Sequence, residues 1–104
     1  MSPALQFAAL ADDTRCALVD LLRERPRPVH ELAAAFAVSR PAISRHLRVL
    51  KAAGLVGEAR DGRENVYSLK RQRLRVLSTW LEQHWSSKVP QPATIQGQQA
   101  ELDL

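Results

Sequence analysis

The segment from Val29 to Gly54 constrains this chain more than any other, because it sets two helical patterns on either side of a three-residue break. Residues 29–36 (VHELAAAF) read as a short alanine-rich helix with Leu32 and Phe36 on one face, and Ala37-Val38-Ser39 leaves room only for a tight turn. Ser39 suits the N-cap of the next helix, with Pro41 in its first turn. At about 100° per residue, Ile43, Leu47, Leu50 and Gly54 fall within roughly 60° of one another. They form a narrow stripe that one face of the helix must bury, and Gly54 ends the helix as a C′ residue. Pro41, Ser44, Arg45 and Arg48 point roughly 100–200° away from that stripe, on a side that holds arginine and serine without one acid.

The flanking segments fit around this pair. Ser2-Pro3 reads as a cap with proline at the first helical position, opening a short apolar helix with Leu5, Ala8 and Ala9. Asp12-Asp13 restarts the chain as a second cap, followed by Ala17, Leu18, Leu21 and Leu22 at helical spacing, and Pro26 and Pro28 end that helix. After Gly54 the period changes to two. Leu55-Val56 and Val66-Tyr67-Ser68-Leu69 are strand-like, with Asp61-Gly62 as the hairpin signal between them. A last helix is expected from about Arg71 to Lys88, with Leu74, Leu77, Leu81 and His84 on one seam beside Trp80 and Trp85. The expected order is α-α-α-α-β-β-α, mainly helical with a small β-hairpin, in one domain over residues 1–88. Residues 89–104, with two prolines, four glutamines and little hydrophobicity, read as a disordered tail.

Composition excludes several classes. At 104 residues, 45% hydrophobic and 25% charged, the chain is the size and make-up of one globular domain. No run of eighteen apolar residues and no signal-peptide pattern occurs, so neither a membrane span nor secretion is expected. The single cysteine cannot close an internal disulfide, which points to the cytoplasm. No nucleophile–base pair, phosphate loop or paired carboxylate motif suggests an enzyme. Charge is distributed unevenly. Residues 39–75 hold ten basic and three acidic residues, a local +7, while the remainder carries −3 within an overall +4. That asymmetry is the footprint of a surface that meets a polyanion.

Two helices joined by a tight turn, the second exposing basic and hydroxyl groups and followed by a basic hairpin, make a winged helix-turn-helix. The candidate groove contacts are Arg40, Pro41, Ser44, Arg45 and Arg48, with Ser39 at a phosphate or as cap, and Arg60 and Arg63 on the wing. The expected partner is double-stranded DNA carrying a palindromic operator. The alternative is a winged-helix protein-interaction module that touches no DNA, which has no evident need for the local +7.

The residues Ser39-Arg40-Pro41-Ala42-Ile43-Ser44-Arg45-His46-Leu47-Arg48-Val49-Leu50-Lys51-Ala52-Ala53-Gly54-Leu55-Val56 resemble the recognition-helix signature of the ArsR-type (arsenic-repressor) family of bacterial winged-helix regulators. Leu10-Ala11-Asp12-Asp13-Thr14-Arg15 is similar to that family's junction between its first two helices, and Gly62-Arg63 with Val66-Tyr67 to its wing. The resemblance spans roughly Phe7 to Trp85. It implies a homodimer joined through the first and last helices, here with Leu5, Ala8, Leu74, Leu77, Trp80, Leu81 and His84 as candidate contacts. It also implies transcriptional repression relieved by a ligand or chemical signal, whose identity the sequence leaves open.

The departures bear on chemistry. Metal-sensing members carry Cys-Val-Cys where this chain has Pro28-Val29-His30, and thiophilic metals need converging thiolates. On the last helix only Glu82 and His84 are available, and residues two apart diverge on a helix. No metal and no cofactor are expected. Cys16, beside Arg15 near the start of the second helix, has two readings: a thiol made reactive by the helix dipole, or a small buried apolar residue. His30 and His46 read as capping or packing residues.

Overall fold

The computed structural model describes residues 2–85. Its elements are α1 (Ala4–Leu10), α2 (Asp13–Glu24), β1 (Arg27–Pro28), α3 (Val29–Ala34), α4 (Arg40–Ala52), β2 (Val56–Asp61), β3 (Glu64–Leu69) and α5 (Arg71–Trp85). This is the mainly helical winged helix-turn-helix the periodicities imply, with one added strand. Residues 86–88, where the last helix is expected to continue, and tail residues 89–104 lie outside the described residues.

Local chemistry sets the boundaries. The Asp12 carboxylate accepts the Arg15 backbone N–H at 3.0 Å and caps α2, and the Ser39 hydroxyl accepts the Ala42 N–H at 3.2 Å and caps α4. Pro3 itself occupies the N-cap of α1 rather than its first helical position, and Ser2 reaches the Ala4 N–H from outside. At the end of α4, Gly54 takes φ of +78°; its N–H bonds the Lys51 carbonyl at 2.9 Å, and the Leu55 N–H bonds the Leu50 carbonyl at 3.0 Å. That pair of bonds is a Schellman stop. It turns the chain so that Leu55 and Val56 enter the core directly.

The sheet has strand order β1-β3-β2, antiparallel throughout. In the wing Val56 faces Leu69 and Asp61 faces Glu64, with Gly62 at φ +65° in the tip. β1 corrects the sequence reading, which took Pro26 and Pro28 only as helix breakers. Arg27 and Pro28 register against Tyr67 and Val66 as a two-residue edge strand, where a missing N–H does little harm.

The core gathers Leu18 and Leu22 of α2, Leu32 of α3, the Ile43, Leu47 and Leu50 stripe of α4, Leu55, Val56 and Leu77 of α5. Each such side chain contributes roughly 1.5–3 kcal/mol on burial. Leu77, among the dimer contacts that the resemblance implies, is only 5% exposed and belongs to the chain's own core, with Leu74 half-buried beside it. The last helix therefore has something to pack against within one copy.

Candidate nucleic-acid interface

Burying its stripe turns the other side of α4 outward. Arg40, Pro41, Arg45 and Arg48 are exposed and Ser44 is half-buried. Among the described residues, the side chains of Arg40, Arg45 and Arg63 make no hydrogen bond or ion pair, whereas other arginines of the chain are held: Arg25 and Arg27 by Glu31, Arg15 by a backbone carbonyl. Arg60 bends over the wing tip and donates through Nε to the Gly62 carbonyl at 3.1 Å. Ser39 is occupied as the cap of α4.

The wing is tied to α4 by a cluster that the sequence reading missed. Lys51 Nζ donates to Glu58 at 2.8 Å, and the Tyr67 hydroxyl donates to the other Glu58 oxygen at 3.0 Å. Lys51 first, then Tyr67, holds the Glu58 carboxyl below the usual carboxylate range. Burial, and then the adjacent Glu58, pushes the Tyr67 hydroxyl up.

Two polar bridges lock α4 to the elements behind it. The Arg15 guanidinium donates to the Ala9 carbonyl through Nε at 2.6 Å and to His46 Nδ1 through Nη1 at 3.2 Å. Gln6, buried, donates to the Ala53 carbonyl at 3.0 Å, while its Oε1 finds no partner among the described residues. His46 is thus a fastening point of the recognition helix to α1 and α2. Asp12 supports the same corner, its carboxyl held low first by the Arg15 N–H, with His46 contributing.

The basic run of residues 39–75 divides in space. Arg40, Arg45, Arg48, Arg60 and Arg63 sit on α4 and the wing. Lys70, Arg71, Arg73 and Arg75 open α5, where Arg73 lies near Gly54, Lys70 near Gly57, and Arg71 caps α2 through the Arg23 carbonyl at 2.7 Å.

A different surface runs along α1 and α5. Leu5 is 59% exposed, Leu81 50% and Trp85 79%, with Ala8, Val76 and Trp80 also exposed. Trp80 meets Phe7 edge-on, centroids 5.6 Å apart, and stacks on His84 at 4.2 Å; His84 Nδ1–H donates to the Trp80 carbonyl at 2.8 Å. Neither tryptophan fills the monomer core. Cys16 is exposed rather than buried, its thiol donating to the Leu10 carbonyl at 3.0 Å. Among the described residues no three His, Cys, Asp or Glu side chains gather as a metal site, and no helix is long and apolar enough to cross a membrane.

Fold and surface together define a winged helix-turn-helix of the DNA-binding regulator type. Residues 12–58 match the family model for bacterial regulatory proteins of the arsR family. The chain is 46% identical over 85 residues to the HTH-type transcriptional regulator Rv2034 of Mycobacterium tuberculosis, covering 82% of this chain and 79% of that protein. It is 52% identical over 61 residues to the HTH-type transcriptional repressor SmtB of the same species, covering 59% of this chain but only 45% of SmtB. Among solved structures, a possible transcriptional regulator for arsenical resistance superposes with TM-score 0.71 at 45% identity, over 77% of this chain and 83% of that one. The homodimeric winged helix-turn-helix DNA-binding domain of a possible ArsR-family regulator from Mycobacterium bovis superposes with TM-score 0.63 at 27% identity, over 85% and 86%. The chain belongs to the ArsR family of transcriptional regulators, which are DNA-binding proteins and not enzymes.

Proposed function

We propose that this chain is a homodimeric repressor that binds a palindromic operator in double-stranded DNA. In this reading α4 enters the major groove with Arg40, Ser44, Arg45 and Arg48 facing it, Ser44, Arg45 and Arg48 at base edges, and Pro41 packs against the groove wall. Ser39 lies at a phosphate while capping the helix, and Arg60 and Arg63 of the wing hold the backbone or an adjacent minor groove. One observation carries the reading: the outward side of α4 presents cations without ion-pair partners beside a wing whose tip bears Arg60 and Arg63. A domain with no polyanion to meet gains nothing from leaving them unpaired.

Dimerisation runs through Leu5 and Ala8 of α1 and Leu74, Trp80, Leu81 and His84 of α5. The exposed apolar side chains there support it, as does the homodimeric relative from Mycobacterium bovis. Two recognition helices about 34 Å apart then match successive major grooves. The test is duplex binding followed by fluorescence anisotropy across salt. Affinity for a promoter fragment should fall on the order of 10³-fold between 50 and 200 mM salt. Salt-independent binding, or none to any duplex, would overturn the reading in favour of a protein-docking module.

A further inference from the structure

We propose that the cleft between α3, the start of α4 and the wing tip seats one DNA backbone phosphate, with His30 as a proton-dependent ligand beside Arg40 and Arg63. The inference rests on the DNA-binding reading above and adds to it a site, a residue and a pH dependence.

The cleft holds about 360 Å³ and is lined by His30, Arg40, Arg63, Glu64 and Asn65 together with Pro28 and Val29. At roughly 30 Å³ per water, that is ample for a phosphodiester oxygen pair and its hydration. Three separate elements deliver the cation-capable groups: α3 gives His30, α4 gives Arg40 and the hairpin turn gives Arg63. Neither arginine is engaged by another described side chain. The opposing charge is Glu64 of β3, whose Oε1 lies 3.2 Å from His30 Nδ1. Glu31, next to His30 on α3, is already taken by Arg25 and Arg27, and so adds no net charge to the cleft.

Chemistry then decides what the site does. His30 Nδ1 faces the Glu64 carboxylate, an ion pair only when the imidazole carries its second proton, and a protonated ring offers an N–H donor on both nitrogens. With His30 neutral the cleft carries two cations against one carboxylate; protonated, it carries three. A phosphodiester is the anion that a DNA-facing cleft of this size meets, and its attraction to the cleft rises with that third charge. Glu64 serves as the counterweight, holding the imidazole in place and keeping the cleft from binding duplex indiscriminately.

The experiment uses the full chain and a mixed-sequence duplex of about 30 base pairs, since a phosphate seat needs no operator. Anisotropy is measured at pH 5.5 and pH 8 over a range of salt. The wild type should bind about fivefold more tightly at pH 5.5, with the slope of log K against log salt steeper by about 1 for each protomer engaged. His30→Gln should lose that gain, and His30→Arg should bind tightly at both pH values. Glu64→Gln should tighten binding at pH 8 severalfold. A pH response that persists undiminished in His30→Gln, or weaker binding by Glu64→Gln, would overturn the seat while leaving DNA binding intact. Failure of the wild type to bind any duplex at either pH overturns both readings together.

Discussion

Two regions of this small domain expose side chains that its own core does not use, and they differ in kind. The outward side of α4 carries Arg40, Arg45 and Arg48 without one acid, and the wing tip adds Arg60 and Arg63 among the acids of its strands. The α1 and α5 side carries Leu5, Val76, Trp80, Leu81 and Trp85. The first acts through charge, at a range set by the Debye length and weakened by salt. The second acts through contact area, which salt scarcely touches. The contrast teaches that one chain of this size has room for two surfaces of different chemistry, each suited to a partner that the other has little means to hold.

The sharpest way to break the comparison is to charge the apolar side. Trp80→Asp with Leu81→Asp should leave a folded monomer at micromolar concentration by sedimentation velocity. Its duplex affinity should fall by about 10² or more, as two linked half-site contacts become one. If the doubly substituted protein still sediments as a dimer, the contact lies elsewhere. Next in size, Arg45→Ala should lose about 1–3 kcal/mol of discrimination between operator and random duplex. Arg63→Ala should weaken both evenly and lower the salt slope by about 1. Equal losses from the two substitutions would mean that helix and wing do not divide the work.

Smaller effects test what joins the surfaces. Glu58, held low by Lys51 and Tyr67, contributes stability that is present above its unfolded pKa and lost as pH falls through its folded one. Glu58→Gln should therefore cost up to about 1 kcal/mol in urea unfolding at pH 7, and nothing at pH 2 where the carboxyl is already protonated. The smallest expected effect is none. With one thiol, low-micromolar zinc, cadmium or arsenite should leave duplex binding unchanged. Any redox effect on binding should vanish in Cys16→Ser.

What was legible in the sequence follows from the range of the forces involved. Ser39, Asp12 and Gly54 act on atoms a few residues away, so caps and stops were readable, as was the buried stripe of Ile43, Leu47 and Leu50. β1 was not, because Arg27 and Pro28 become a strand only by meeting Tyr67 and Val66 some forty residues later. The burial of Leu77 was not legible either, because helical spacing shows which residues share a face and not what that face meets. The Arg15–His46 and Lys51–Glu58–Tyr67 contacts join residues whose types alone gave no sign of pairing. The candidate site was half legible: α4 and the wing tip from their charge pattern, the fastenings beneath them only from three dimensions.

The two-residue strand β1 has a mechanical consequence. Val66 and Tyr67 sit in the middle of the sheet, flanked by β1 on one side and β2 on the other, while Asn65 and Glu64 pair with β2 alone. The wing is thus a lever clamped by backbone pairs on both sides at its root, and beyond it held only by β2 and the exposed His30–Glu64 contact. Amide hydrogen exchange should register this as a gradient, slow at the root and fast from Arg60 to Asn65, with the outer pairs opening far more often than the domain unfolds. Groove width in DNA varies with sequence. The part of the protein that has to follow that variation is the part whose bending breaks the fewest bonds, and α4 keeps its place while the tip adjusts.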